Sequence, residues 1–387
     1  MDEVRIGIAG IGGMGSNHAG YLSKGEVPGA RLTAVADTNP ERLAWAEQTL
    51  DGVSRFADAE EMISSGEVDA IIIATPHYFH PPIAVAGFEA GLHVMSEKPA
   101  GVYTRQVKEM NAAATKSGKV FGLMLNQRAR GTTQKLQELI ANGELGEIQR
   151  TNYIITTWFR AQSYYDSGGW RATWAGEGGG VLVNQCPHNL DLWQWICGMP
   201  SRVRAFCHFG QHHNIEVEDD VTAYVEYPNG ATGVFVTTTG DAPGTNRLEI
   251  TGDRGKIVAE GNNITFHRSE QSVSQFLKEY PGGFGSPNMW ECDVPPARGG
   301  GEHKAITTNW VQSILDDGKT ELMAPGLEGI HSVELFNAML LSAWTDDWVD
   351  IPVDGDLYYD ELQKRVAAST AKTTVGKTMD VSGTFQL

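Results

Sequence analysis

The chain has 387 residues, of which 41% are hydrophobic and 20% charged, with a formal net charge of −18. That length allows two or three domains with a sizeable core, and the acidic balance argues against nucleic acid or an anionic membrane as partners. No apolar run reaches membrane-spanning length, Met1-Asp2-Glu3 is acidic where a signal peptide is basic, and Cys186, Cys197, Cys207 and Cys292 show no C-x-x-C spacing. The expectation is a cytoplasmic protein with reduced thiols.

In chain order, the first third alternates short apolar runs with helical patterns. Runs at 4–9, 32–36 and 70–74 lack alternation, as strands buried on both faces of a parallel sheet do. Helices are predicted at 17–23, 40–50 (with Pro40 as its first residue), 60–65 and 83–90, a strand at 93–96, a helix at 102–117 and a last strand at 120–125. This order gives an α/β, doubly wound domain over 1–126. From Gln127 the pattern changes. A helix at 132–142 precedes longer strands at 147–159, 202–209, 221–227, 232–239, 247–251, 256–260 and 264–267, joined by turn signals such as Pro228-Asn229-Gly230. With helices at 184–196, 307–316 and 333–344, residues 127–387 read as an α+β domain with a large, mostly antiparallel open sheet. The polar, Thr-rich tail over about 367–387 reads equally as a docking arm and as disorder.

Directly after the first strand comes Gly10-Ile11-Gly12-Gly13-Met14-Gly15. Glycines at this spacing turn tightly off a strand and let the backbone approach a pyrophosphate resting on the next helix N-terminus. The second strand ends in Asp37, where a carboxylate meets ribose hydroxyls, favours NAD and repels the 2′-phosphate of NADP. Arg42 reads as a solvated or adenine-stacking side chain. Ligands sit outside the carboxyl ends of such strands, so Thr75, Pro76, His77 and His80 after the third, Glu97-Lys98-Pro99 after the next, and Asn126 after the last are candidate cofactor contacts. Lys98 at a strand end can face a substrate; on position alone it serves equally as a surface ion-pair partner.

The order G-x-G-x-x-G, Asp, E-K-P and then a glycine run with a downstream histidine resembles the Gfo/Idh/MocA family of oxidoreductases, from Val4 to about Trp348. The family pattern G-G-x-x-x-D-x-x-x-H meets Gly179, Gly180 and His188 here, with Asn184 where the acid is usual. The resemblance implies a Rossmann NAD-binding domain and hydride transfer at a secondary alcohol of a sugar, glycoside or inositol. It makes Lys98, His188 and Asn184 catalytic. His188 would accept the hydroxyl proton while Lys98 bonds the same oxygen, or Lys98 would itself be the base. A neutral Asn184 cannot raise the histidine pKa by charge. Four-residue spacing would place it on the His188 face of one helix, to orient that ring or a second hydroxyl. The resemblance also implies a dimer or tetramer through the large sheet, whose broad face few helices could cover.

Half of the ten tryptophans lie between Trp158 and Trp195. Trp158, Trp170 and Trp174 could pack on a sugar ring, with Arg160, Tyr165 and Arg171 bonding its hydroxyls; Trp193 and Trp195 read as core. Two other functions remain open. One is an NAD-assisted glycosidase acting by transient C3 oxidation, with Tyr164, Tyr165 or His80 as the extra acid/base; the other is a non-catalytic dinucleotide sensor. His208, His212, His213, Glu216, Glu218, Asp219 and Asp220 match no metal-ligand spacing and read as a polar loop, so no metal is expected. Cys186 reads as a small buried hydrophobe.

Overall fold

The computed structural model describes residues 2–370. Strands β1 (Val4–Ala9), β2 (Ala30–Ala36), β3 (Ser54–Phe56), β4 (Ala70–Ile73), β5 (His93–Ser96) and β6 (Phe121–Leu123) alternate with helices α1 (Gly13–Ser23), α2 (Pro40–Thr49), α3 (Ala59–Ser64), α4 (His80–Glu89) and α5 (Thr104–Ser117). The strands form one parallel sheet in the order β3-β2-β1-β4-β5-β6. β4 is Ala-Ile-Ile-Ile with every residue buried, the pattern of a strand covered on both faces. The chain runs outward from β1 to β3 and then returns to place β4 beside β1. That reversal opens a crevice at the carboxyl ends of β1 and β4. Local chemistry sets the helix starts: the Asn39 side chain accepts from Glu41 N, and Pro40 takes the first position of α2.

The rest of the described chain supplies α6 (Gly131–Ala141), β7 (Ile148–Ile155), α7 (Gln162–Asp166), α8 (Pro187–Cys197), β8 (Arg202–Phe209), β9 (Glu218–Glu226), β10 (Thr232–Thr238), β11 (Asn246–Gly252), β12 (Gly255–Glu260), β13 (Asn263–Ser269), α9 (Val273–Glu279), β14 (Met289–Asp293), α10 (Glu302–Leu315), α11 (Gly329–Thr345), β15 (Val349–Asp350) and α12 (Gly355–Ala368). Nine strands make the second sheet, in the order β14-β13-β12-β11-β7-β10-β9-β8-β15. It is antiparallel except where β10 runs parallel to β7. Helices α8 and α11 pack on it; Trp193 of α8 stacks on Phe235 of β10 and donates its indole N–H to Thr151 of β7. Asn337 of α11 reaches back to the first sheet's layer, bonding Thr104 N and Val102 O, both within buried surroundings.

Expectation and structure differ at several boundaries. The first helix begins at Gly13 rather than at 17, because the glycine loop itself closes onto the helix. The helix expected at 184–196 is two elements: a π-helical turn, Val181–Gln185, and then α8. Proline lacks the N–H that would continue the first turn, so Pro187 opens a new helix. The strand expected to run to 159 stops at Ile155. β3, β14, β15, α7, α9 and α12 were not anticipated; β3 and β15 are three and two residues long, and β14 is nearly all exposed, so none leaves a periodic apolar signal. Of the tail expected from 367, residues 367–368 complete α12, Ser369 bonds Glu216 and Ala175, and 371–387 lie outside the described residues. Among the described residues no helix is long and apolar enough to cross a membrane.

Candidate active site

The glycine loop is built by three distinct demands. Gly10 adopts φ +85°, and a Cβ there would lie 2.8 Å from Ala74 O. A Cβ on Gly15 would lie 1.9 Å from Gly10 O, so the loop folds tightly on itself only without a side chain. Gly12 is different: it is exposed, and nothing in the protein stands within 4 Å of its Cβ position. Gly12 also caps α1 without any side-chain bond to the helix. The helix N-terminus therefore keeps its amides for an outside anion, and open space at Gly12 fits a pyrophosphate. Ile11 is fully buried beneath the loop, while Gly13 and Met14 open the helix. Asp37 accepts from Ile11 N (2.9 Å) through one oxygen and from Asn39 N (2.8 Å) through the other. Arg42 stands on the loop, donating to Ile11 O (2.7 Å) and contacting Ser16 Oγ, rather than lying on a solvated face.

The opposite lip follows β4 and β5. Thr75 Oγ1 is buried with no partner, and Pro76 caps the short turn His77–Phe79. His80 holds Thr75 O (2.7 Å) and Pro99 O (2.8 Å), tying this turn to the E-K-P turn. His77 Nδ1 bonds Glu177 O at 3.2 Å. Burial, then His80 and Lys98, push the His77 imidazole well below the ordinary histidine range. Glu97 is buried against His18 Nε2 at 2.7 Å. Burial alone would raise its carboxyl, but the bond and charge of His18 outweigh it and hold the group at about 2. Asn126 donates to Glu302 at 3.0 Å, and its Oδ1 is buried without a partner. The unsatisfied Thr75 and Asn126 oxygens, with the open Gly12 position, fit a dinucleotide laid across these strand ends.

Lys98 is half-buried and donates from Nζ to the main-chain oxygen of Asn184 at 2.8 Å. Burial lowers its pKa, opposed by Glu97 and Glu177. The same contact brings the π-turn and α8 to the lysine. His188 is 8% exposed, and its Nδ1 is buried with no hydrogen-bond partner. Burial first, then Lys98 and His303, push its pKa well below the usual histidine value, so the ring is neutral near pH 7. Asn184 does not bond His188; its side-chain amide donates to Glu177.

Glu177 was missed in the sequence. It is 2% exposed, and its second carboxylate oxygen accepts from Ala172 N at 2.5 Å. The one available signal was a charged residue inside Gly176-Glu177-Gly178-Gly179-Gly180.

Beyond Asn184 lie Arg160, Tyr164, Trp170, Arg171 and Gln185. The guanidinium carbons of Arg160 and Arg171 stand 5.1 and 4.7 Å from the Tyr164 ring centre, and Trp170 packs edge-on to His77 at 5.5 Å. Tyr165 packs edge-on against Tyr164, ring centres 5.2 Å apart, but is 1% exposed and donates its hydroxyl to Thr239 Oγ1. Trp174 is buried against Phe209 and Trp344, and Trp158 donates to Asn189 at 3.0 Å. The histidine-rich loop is organised by Asp219, which accepts from the amides of Gln211, His212 and His213 and bonds the His213 ring. Cys186 lies beside Thr237 Oγ1, its thiol pushed up to about 12 by burial.

Residues 4–125 match the family described as "Oxidoreductase family, NAD-binding Rossmann fold", and 133–258 match the "GFO/IDH/MocA C-terminal domain". D-glucoside 3-dehydrogenase of Escherichia coli (strain K12) is 29% identical over 59% of this chain and 68% of its own. Levoglucosan dehydrogenase of Pseudarthrobacter phenanthrenivorans is 26% identical over 91% of this chain and 99% of its own. Among solved structures, a WlbA dehydrogenase from Chromobacterium violaceum, in complex with NADH and UDP-GlcNAcA, superposes with a TM-score of 0.76 at 31% identity. It covers 92% of this chain and 97% of that one. With matched models on both sheets and the glycine loop, E-K-P turn and π-turn converging on one crevice, the chain belongs to the GFO/IDH/MocA family of NAD-binding oxidoreductases.

Proposed function

We propose that this protein is an NAD-dependent dehydrogenase that oxidises a secondary alcohol of a sugar, glycoside or polyol. The observation that carries the reading is the meeting of Lys98 Nζ with Asn184 O, beside a buried, neutral His188 that has an unpartnered ring nitrogen, at the mouth of the crevice. The D-glucoside, levoglucosan and inositol dehydrogenases among its relatives support the substrate class. Gly10, Ile11, Gly12, Gly13, Met14, Gly15, Asp37, Thr75, Pro76, His77, His80, Glu97 and Asn126 would hold the cofactor. Asp37, with both oxygens fixed by loop amides, favours NAD over NADP. When bound, NAD supplies the acceptor for the carbinol hydride.

The chain's own groups handle the proton. His188 accepts the hydroxyl proton on a ring lone pair, which burial keeps available at neutral pH. Lys98, an ammonium already aimed across Asn184 O, donates to the carbinol oxygen as it becomes alkoxide-like. Asn184, its amide NH₂ turned to Glu177, presents its side-chain oxygen as an acceptor for a neighbouring hydroxyl.

We also infer a division near residue 126, a cytoplasmic setting, and homo-oligomerisation through the outer face of β7–β10. Phe206 and Tyr224 there remain 55% and 38% exposed. The test is NADH formation by purified protein with NAD and a panel of neutral and acidic sugars, glycosides and inositols, with Lys98→Ala in parallel. Substrate-dependent NADH that vanishes in the variant is expected. Aglycone release without NADH, or silence across the panel while NAD still binds, overturns the dehydrogenase reading.

A further inference from the structure

The structure assigns Arg160, Tyr164 and Arg171 to a subsite for an oxyanion, and we infer from it that the physiological substrate is an acidic sugar, carrying a carboxylate on the ring that is oxidised. The inference rests on the dehydrogenase reading and adds the charge of the substrate to it. The chain carries 48 acidic against 30 basic residues, so carboxylate partners for a guanidinium are plentiful. Yet neither Arg160 nor Arg171 forms an ion pair among the described residues. Arg160 donates from Nη1 to Phe159 O at 2.9 Å, and its Nε is buried with no partner at all. Arg171 donates from Nη1 to the Tyr164 hydroxyl at 2.9 Å. Arg171 bonds the Tyr164 hydroxyl, which also takes Gln185 of the π-turn, and Arg160 stands over the same ring, so both lie on the Asn184 side of the site rather than at the glycine loop.

The acids that act on Lys98 are already engaged. Glu177 takes Ala172 N and the Asn184 amide, and Glu97 takes His18.

The hydroxyl of Tyr164 completes the set. It accepts from Arg171 and from Gln185 Nε2 (3.2 Å), which uses its lone pairs and leaves its own hydrogen as a donor. Two guanidiniums and a phenolic O–H, all donating and unpaired with any acid among the described residues, are complementary to a ligand rich in negative oxygen. Gln185 Oε1, buried and unpartnered, is the acceptor for an adjacent sugar hydroxyl. The platform is fixed. Arg160 N donates to Thr239 O, and Arg160 O accepts from His213, which Asp219 anchors. Through these bonds the polar loop around Asp219 sets the height of Arg160.

A carboxylate at C6 of a hexuronoside and a phosphate ester at the same carbon share this chemistry, so the experiment carries an arm for each. NADH formation is measured with methyl β-D-glucopyranosiduronate, methyl β-D-glucopyranoside and glucose 6-phosphate. Wild type is compared with the Arg160→Met/Arg171→Met double variant, whose folding is checked by NAD binding. Charge-assisted bonds of this kind predict a kcat/KM ratio of uronate to neutral glycoside of about 10 to 100, falling to about 1 in the variant. A ratio near one in wild type, or one unchanged in the variant, overturns the subsite while the dehydrogenase reading stands. Preference for the phosphate over the uronate overturns the carboxylate assignment and keeps the oxyanion. If no sugar yields NADH, the dehydrogenase reading has failed separately. Calorimetric titration of the uronoside then decides the subsite: binding lost in the variant supports it, and absence of binding to wild type overturns it.

Discussion

Asn184 hands its side-chain amide to the buried carboxylate of Glu177 and its main-chain oxygen to the ammonium of Lys98. A neutral residue thus stands between a cation and an anion, touching both. Position 184 carries no acid; the carboxylate its amide meets is that of Glu177, seven residues earlier, held from its other oxygen by Ala172 N. In a buried setting such a chain of polar contacts fixes orientation as well as charge.

Glu177→Gln keeps the shape and removes the charge. Because Glu177 raises the Lys98 pKa, its loss should shift the alkaline limb of the kcat profile to lower pH. We expect kcat to fall by about 10- to 100-fold with KM changed less than about threefold. A variant that only loses thermal stability, with the alkaline limb unmoved, would reduce Glu177 to a structural role.

The parts of this site legible in the sequence are those written locally. Gly10 to Gly15, Asp37 and the E-K-P turn each lie at a strand end and follow a short apolar run, so order alone places them. The Glu177–Asn184 pair was not legible, because a glycine run reads as a featureless turn and says nothing of what folds back onto it. The i, i+4 spacing of Asn184 and His188 suggested one helical face. The π-turn and Pro187 break that register, and the two side chains part. Tyr164 and Tyr165 could not be separated by type; α7 turns one toward Arg171 and the other onto Thr239.

Lys98→Met removes the donor to the carbinol oxygen. Loss of one such donor costs about 10² to 10³ in kcat. NAD binding, followed by quenching of tryptophan fluorescence, should stay within about threefold of wild type, since Glu97 and the glycine loop are untouched. A matching collapse of NAD affinity would place Lys98 in cofactor binding instead.

The pH dependence on the acid side follows from His188. Burial and Lys98 set its folded pKa below the ordinary value of about 6.5. Between those two values the unfolded chain binds a proton that the native chain does not, so this residue's contribution to stability is present above about pH 6.5 and lost as pH falls through the folded pKa. The neutral, base-competent ring likewise persists below pH 6.5. We expect kcat/KM to stay flat from about pH 7 to about pH 6, with its acid limb lower still. An acid limb centred near 6.5 would assign that titration to a solvated group.

Gly12 and Gly15 separate cofactor binding from folding. A Cβ at Gly15 would sit 1.9 Å from Gly10 O, so Gly15→Ala must displace backbone and should lower the melting temperature by several degrees, about 2 kcal/mol or more. At Gly12 nothing lies within 4 Å. Gly12→Ala should melt within a degree or so of wild type and lose NAD affinity by about tenfold or more, because the methyl occupies the space a pyrophosphate needs. Equal NAD affinity in wild type and Gly12→Ala would move the cofactor away from this loop.

Glu218 ties stability to pH from beneath the π-turn. It is fully buried, and one oxygen accepts from Gly180 N (2.8 Å) and Leu182 N (3.0 Å), while the other has no partner. Burial lifts its pKa to about 8 despite those two amides. The native state therefore keeps a proton that the unfolded chain releases near the ordinary glutamate value. The sign is set by that difference: the contribution is full below the unfolded pKa and is lost as pH rises through about 8. A tenfold difference in proton affinity between the two states is worth about 1.4 kcal/mol, so the whole window carries a few kcal/mol at most. Glu218→Gln keeps the accepting oxygen and removes the titration. Its melting temperature should fall less than that of wild type between roughly pH 5 and pH 8, with the two converging at the acid end. Parallel curves across that range would mean that Glu218 stays ionised in the fold and that its free oxygen finds solvent.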